Sequence, residues 1–203
     1  MSSRETAKLA ANRLLPPLQT GRILIDMASP VLIPVSEYLN TTYRPDRDYV
    51  DGELKERNLG ETPHATAQGV IAAIFLANRK AWQVRPFTEQ RIQTSPKRFR
   101  VADVCVLRFG APPGPIVRTP PLVCVEVLSP EQSLADIQGV VNDYLNMGVE
   151  NIWVLDPVRR LAWTATAKGF QPLSSQEFSV DRTSIRILLA DIYEELDEMT
   201  AGR

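Results

Sequence analysis

Two short apolar runs, each interrupted by a single acid, constrain this chain more than any other feature. They are Val101-Ala102-Asp103-Val104-Cys105-Val106-Leu107 and Leu122-Val123-Cys124-Val125-Glu126-Val127-Leu128. Runs so rich in valine and so short read as buried strands. Side chains alternate across a sheet, so Asp103 shares a face with Cys105 and Leu107, and Glu126 with Cys124 and Leu128. The Pro- and Gly-rich connection from Gly110 to Pro120 suits two antiparallel neighbours. A register that sets Asp103 opposite Glu126 also sets Cys105 opposite Cys124, whereas a slip of one residue would send the acids to opposite faces.

Burying an ionised carboxylate is costly unless it is paired or bound to metal. Two at close range raise one pKa unless a cation keeps both ionised. A hard divalent ion, Mg²⁺ or Mn²⁺, meets that need with one or two carboxylates, water and phosphate oxygens. Metal ligands are therefore expected at Asp103 and Glu126, and a metal between two carboxylates suggests phosphodiester hydrolysis. The plainer reading, a carboxylate solvated at a strand end, fits one such residue better than two. Both cysteines read as packing residues.

Composition narrows the partners. The chain has 203 residues, 44% of them apolar and 23% charged, which suits a globular domain and excludes a mainly disordered polypeptide. A net charge of −1 gives no basic signature of its own, so a nucleic-acid partner would need a locally basic groove. Two cysteines and one histidine are too few for a four-coordinate structural zinc site. No apolar stretch approaches the roughly 18 residues of a membrane span, and the N-terminus does not read as a secretory signal. A reducing cytoplasm is the expected compartment.

Residues 1–30 read as an extension, with a short helix at Ala7 to Leu15 stopped by Pro16-Pro17, and 31–199 as one domain. Ser36 is placed to cap a helical turn through Leu39, and Asp51-Gly52 marks a strand or tight hairpin between Tyr49 and Arg57. Thr62-Pro63 opens a helix expected to run to about Ala81. Strands are expected at Gln83–Thr94, Val101–Phe109 and Leu122–Leu128, then a helix at Ser133–Met147 ended by Gly148. Further strands fall at Asn151–Asp156 and Leu161–Thr166, and an acidic helix at Leu188–Met199. The result is an α/β fold, a mixed central sheet flanked by helices, with additions at both ends. No glycine-rich phosphate loop is present, which argues against dinucleotide binding and P-loop hydrolysis.

VADVCVL, VCVEVLSP and DYLNMGVENIWVLDP, with the upstream PVSEYL, YVDGEL and His64 after Pro63, resemble the Uma-two-like restriction endonuclease family of the PD-(D/E)XK nuclease superfamily, from about Val31 to Arg160. The resemblance implies a restriction-endonuclease-like core of helix, three strands, helix and strand. It also implies a Mg²⁺-type site at Asp103 and Glu126. The superfamily's E-x-K lysine slot holds Leu128, and the position where many family members carry a helix lysine holds Val140. Losing such a fixed charge typically costs ~10²–10³ in rate. Gln138, Arg91 or Arg100 are candidates to replace it.

Three further residues complete the catalytic candidates. Glu89 precedes the Asp103 strand and is a third ligand or, more plainly, a surface partner of Arg91. His64 and Gln68, four apart on one helix face, orient water or phosphate, or else cap the helix. Lys97, Arg98 and Arg100 bind phosphates or line a solvated turn. Trp82, Trp153 and Trp163 read as packing. The leading expectation is a Mg²⁺-dependent DNA endonuclease acting on a duplex as a homodimer. The alternative is an inactive nuclease fold that binds DNA or scaffolds, and a small-substrate carboxylate hydrolase stands third.

Overall fold

The computed structural model describes residues 31–57, 60–112 and 114–201. The 1–30 extension and its expected helix lie outside these residues, and the chain from Val31 onward clusters as one unit. A short helix, α1 (Val35–Asn40), opens it. Its N-cap is Pro34 and not Ser36: proline's fixed φ of −71° and its missing N–H suit the position before a helix, and no side chain caps it. Tyr38 from α1 is fully buried against Tyr49 and Phe99.

The hairpin β1 (Asp48–Val50) and β2 (Glu53–Lys55) turns at Asp51-Gly52, with φ of 52° and 106°. Two consecutive left-handed residues fit the right-handed twist of paired strands, which is why Gly occupies the second. Helix α2 (Thr62–Trp82) follows with Pro63 in its first turn, then the long strands β3 (Val84–Ser95) and β4 (Arg98–Arg108). After β5 (Val123–Val127), helix α3 (Leu134–Met147) starts where Ser133 N–H and Oγ–H donate to Asp136 Oδ2, and it ends at Gly148, φ 97°. Strands β6 (Asn151–Asp156), β7 (Leu161–Thr166) and β8 (Gly169–Pro172) extend the sheet. A separate pair, β9 (Glu177–Ser179) with β10 (Arg186–Leu188), leads into α4 (Leu189–Thr200). Strands β8 to β10 carry no clear alternation and were not legible beforehand.

The main sheet runs β2-β1-β4-β5-β6-β7-β8, with β3 on β4 and β5 parallel to β6 across the α3 crossover. Valines 104, 106, 123, 125 and 127 face a core shared with α2, α4 and the β9–β10 pair. Cys105, Leu107, Cys124 and Leu128 face the core under α3. Trp153 stacks on Phe178 at 4.8 Å and on Phe75 at 5.8 Å, so it is a packing residue.

The pairing of β4 positions everything that follows. One edge carries β3 along its length. The other edge has two neighbours: β1 at Tyr49↔Phe99 and Val50↔Arg98, and β5 at Val104↔Val125, Cys105↔Cys124 and Val106↔Val123. The β4–β5 register is the one in which the two cysteines face each other. On that edge, between these partners, Arg100 to Asp103 have no strand beside them, and the sheet opens.

The β9–β10 pair is tied to the rest through Phe178, which is fully buried in the core it shares with Trp153. Phe178→Ala is expected to lower stability by about 3–5 kcal/mol in urea unfolding. A loss below about 1 kcal/mol would show that this pair is not part of the cooperative unit.

Candidate active site

The opening in the sheet is a cleft of about 340 Å³, lined among others by Asp48, Arg57, His64, Arg100, Asp103, Glu126, Ser129 and Val140. Its walls follow from backbone accounting. Where β4 has no neighbour, the N–H groups beside it need other acceptors. Asp48 Oδ1 takes Val101 N–H at 2.9 Å, and Asp103 Oδ2 takes Val127 N–H at 2.8 Å. Two aspartates thus stand in for strand pairing, one on each side of the gap.

A local break in β3 aims Asp103. The ladder pairs Thr88 with Val104 and Gln90 with Ala102, and the intervening Glu89 has φ 51°. Ala102 and Cys105 both belong to the α3-side core although they lie three positions apart, so the alternation of β4 breaks between them.

Asp103 is buried and held from three directions. Arg57 Nη2 donates to Oδ1 at 2.8 Å, and His64 Nε2 lies 3.3 Å from Oδ2, beside the Val127 bond. Gln68 Nε2 donates to the Asp103 carbonyl at 3.0 Å and to Glu89 Oε1 at 2.9 Å. The i, i+4 pair on α2 therefore addresses the two ends of one residue. Gly60 passes over the imidazole so closely that a Cβ there would sit 2.9 Å from His64 Nδ1. His64 Nδ1 and Ser129 Oγ are buried without a hydrogen-bond partner among the described residues.

Glu126, buried in the same cleft, accepts a bond from Tyr144 O–H at 2.7 Å. Its carboxyl is pushed well above the usual range, first by burial and then by the charge of Asp103. Two carboxyls on neighbouring strands thus share one electrostatic environment. Among the described residues no three His, Cys, Asp or Glu side chains gather as a cation site. Asp103 and Glu126 would hold an ion only with water or ligand oxygens completing its shell, which Mg²⁺ accepts. The donor set is oxygen alone, suited to a hard cation.

The other expectations sort by position. Glu89 pairs with Arg57, not Arg91, because its turned backbone separates it from its strand neighbour. Arg91 is bound to Asp46 and lies over the Tyr38 ring, away from the cleft. Arg100 lines the cleft but is taken up by Asp48 at 2.9 Å and Asp143 at 2.7 Å. Arg98 is bound by Asp51 and Asp143, and Gln138 donates to Asn142 on the exposed side of α3. Val140 faces the cleft and brings no charge to it. Arg57 was missed, since nothing local in Lys55-Glu56-Arg57-Asn58 distinguishes it from a solvated loop. Its guanidinium stays charged: burial opposes the charge, and Asp103, Glu89 and Glu126 outweigh that effect.

The sequence matches the family described as "Uma2: Putative restriction endonuclease" over residues 35–187. A crystal structure described as a "putative nuclease belonging to DUF820", from Anabaena variabilis, superposes with a TM-score of 0.70 at 20% identity, covering 81% of this chain and 99% of that one. At that identity the likeness is one of fold. No curated protein matches the sequence. Among the described residues no helix is long and apolar enough to cross a membrane.

The raised Glu126 carboxyl makes a stability prediction. Its ordinary value is 4.5, and the folded chain holds the proton to higher pH. The folded state therefore binds more protons than the unfolded state above that value, and this contribution to stability is lost as pH rises toward the folded pKa. Glu126→Gln keeps an acceptor for Tyr144 and removes the titration. In divalent-free buffer it is expected to raise the thermal midpoint over the native chain more at pH 8 than at pH 5. An equal shift at both values would show that Glu126 does not titrate in this way.

Proposed function

The chain belongs to the Uma2 family, described as putative restriction endonucleases, and from that premise we propose that it is a Mg²⁺-dependent DNA endonuclease with Asp103 and Glu126 as the metal ligands. The observation that carries the reading is the gap between β1 and β5, which exposes one buried carboxyl from each of two strands to a single cleft. A bound divalent ion supplies an activated water and neutralises charge on a phosphate.

The chain's own residues prepare that site. Val127 N–H and His64 fix the orientation of Asp103, and Gln68 fixes its backbone. Burial and the charge of Asp103 raise the Glu126 carboxyl, and a divalent cation bound between the two acids would favour the ionised form of both. Lys97, exposed at the β3–β4 turn, and Lys55, which lies on the cleft wall paired with Glu53, are the lysines that would meet a DNA backbone. Cutting both strands of a duplex calls for two copies or two binding events. Two free, buried thiols, Cys105 and Cys124, suit a reducing cytoplasm.

The uncharged Val140 on the cleft wall favours a second reading, a nuclease fold that binds DNA or scaffolds without cutting. Plasmid nicking separates the two. The endonuclease reading expects supercoiled DNA to be nicked in Mg²⁺ or Mn²⁺, with Asp103→Asn losing ~10²-fold or more of the rate. Salt-sensitive binding with no cleavage in either metal would favour the second reading.

A further inference from the structure

Arg57 lies just past β2, outside the strand pairing, with its side chain 18% exposed on the cleft wall. One arm, Nη2, reaches Asp103 Oδ1 at 2.8 Å, and the other, Nη1, is held by Glu89. Glu89 is fixed in turn by Gln68 and sits at the left-handed position that breaks the β3–β4 ladder. A non-glycine residue keeps such a backbone only where its surroundings hold it there, and such residues cluster at functional sites. The other arginine of the cleft, Arg100, is tied through Nε to Asp143 and through Nη1 to Asp48, and so to neither of the two carboxyls assigned to the metal.

We propose that Arg57 is a catalytic residue of this cleft, donating to the phosphate group of the bound DNA strand and stabilising the negative charge that builds there during hydrolysis. The inference rests on the nuclease reading above. In that reaction a water oxygen bonds to phosphorus and the bond to one ester oxygen breaks. The ester oxygen leaves with the electron pair and ends with a proton from the water. Arg57 gains and loses no proton, because a guanidinium stays charged throughout.

Three features suit Arg57 to the role. Its planar fork carries five N–H donors, and its bonds to Asp103 and Glu89 leave others for a phosphate oxygen. The grip of Glu89 fixes the guanidinium before substrate arrives, so little reorganisation is needed when charge develops. Its contact with Asp103 sets it beside one of the two carboxyls assigned to the metal. A counter-ion serving Asp103 alone would need neither the second anchor nor the turned strand at Glu89.

The test is single-turnover nicking of supercoiled plasmid by the native chain, Arg57→Ala, Arg57→Lys and Asp103→Asn, with plasmid binding and thermal midpoints measured alongside. Arg57→Ala is expected to lose ~10²–10³-fold in rate while still binding plasmid, and Arg57→Lys to recover part of it. Guanidinium ion at millimolar concentration is expected to restore Arg57→Ala and not Asp103→Asn. A rate for Arg57→Ala within about three-fold of native overturns the proposal and leaves the nuclease reading intact. So does a loss that guanidinium fails to restore and that follows a lowered thermal midpoint, the mark of a purely structural arginine. If Arg57→Ala does not fold, Arg57→Lys decides: a loss of about ten-fold or more with native plasmid binding supports the proposal, and native rate overturns it. Absence of nicking by the native chain in either metal removes the nuclease reading itself.

Discussion

The site depends on one strand having two different neighbours along the same edge. Because β4 pairs with β1 at Arg98–Phe99 and with β5 from Val104, a short stretch between them has no ladder partner on that edge. Buried backbone donors left by such a gap must find acceptors. Here aspartate side chains fill the place, Asp48 for Val101 and Asp103 for Val127. Carboxylates so placed need positive charge in turn. Arg100 supplies it to Asp48 and Arg57 to Asp103, whose other oxygen lies 3.3 Å from His64 Nε2. Glu126 accepts the Tyr144 hydroxyl, and burial with the nearby Asp103 charge pushes its carboxyl well above the usual range. The opening, the acids and their cations are one consequence of how the sheet is wound.

Buried ion pairs are weak contributors to stability, because the desolvation of both charges roughly cancels their attraction. The fold can carry this network because two apolar cores enclose the sheet, one under α2 and α4 and one under α3. The polar residues occupy the cleft end, while the valines and cysteines of the same strands fill those cores. The division follows strand alternation, with the single break between Ala102 and Cys105 turning Asp103 toward the cleft.

Much of this was legible in the sequence because it is local. Setting Asp103 opposite Glu126 leads to the Cys105–Cys124 pairing that the β4–β5 ladder has, and helical spacing puts His64 and Gln68 on one face. Proline, serine and glycine punctuation marks the ends of α2 and α3. What was hidden is long-range. Nothing near Asp48 announces that β1 would share an edge with β5, so the gap could not be foreseen. Arg57 lies 46 residues from Asp103, in a charged loop of ordinary appearance. Glu89 was a candidate, but its partner was misjudged, since only the positive φ at that residue turns it from Arg91 to Arg57. Val140 is the reverse case: the resemblance directs attention to its slot, which does face the cleft, yet the charge comes from another element.

The central claim is that Asp103 and Glu126 converge on a single cation. Soaking crystals of the protein with Mn²⁺ and locating the ion by its anomalous scattering tests it most directly. The account predicts one strong peak within about 2.5 Å of an oxygen of each carboxyl, with the rest of the shell made by water or backbone oxygen. A peak that touches neither acid, or carboxyls still bound to Arg57 and Tyr144 with no ion between them at saturating Mn²⁺, would contradict it.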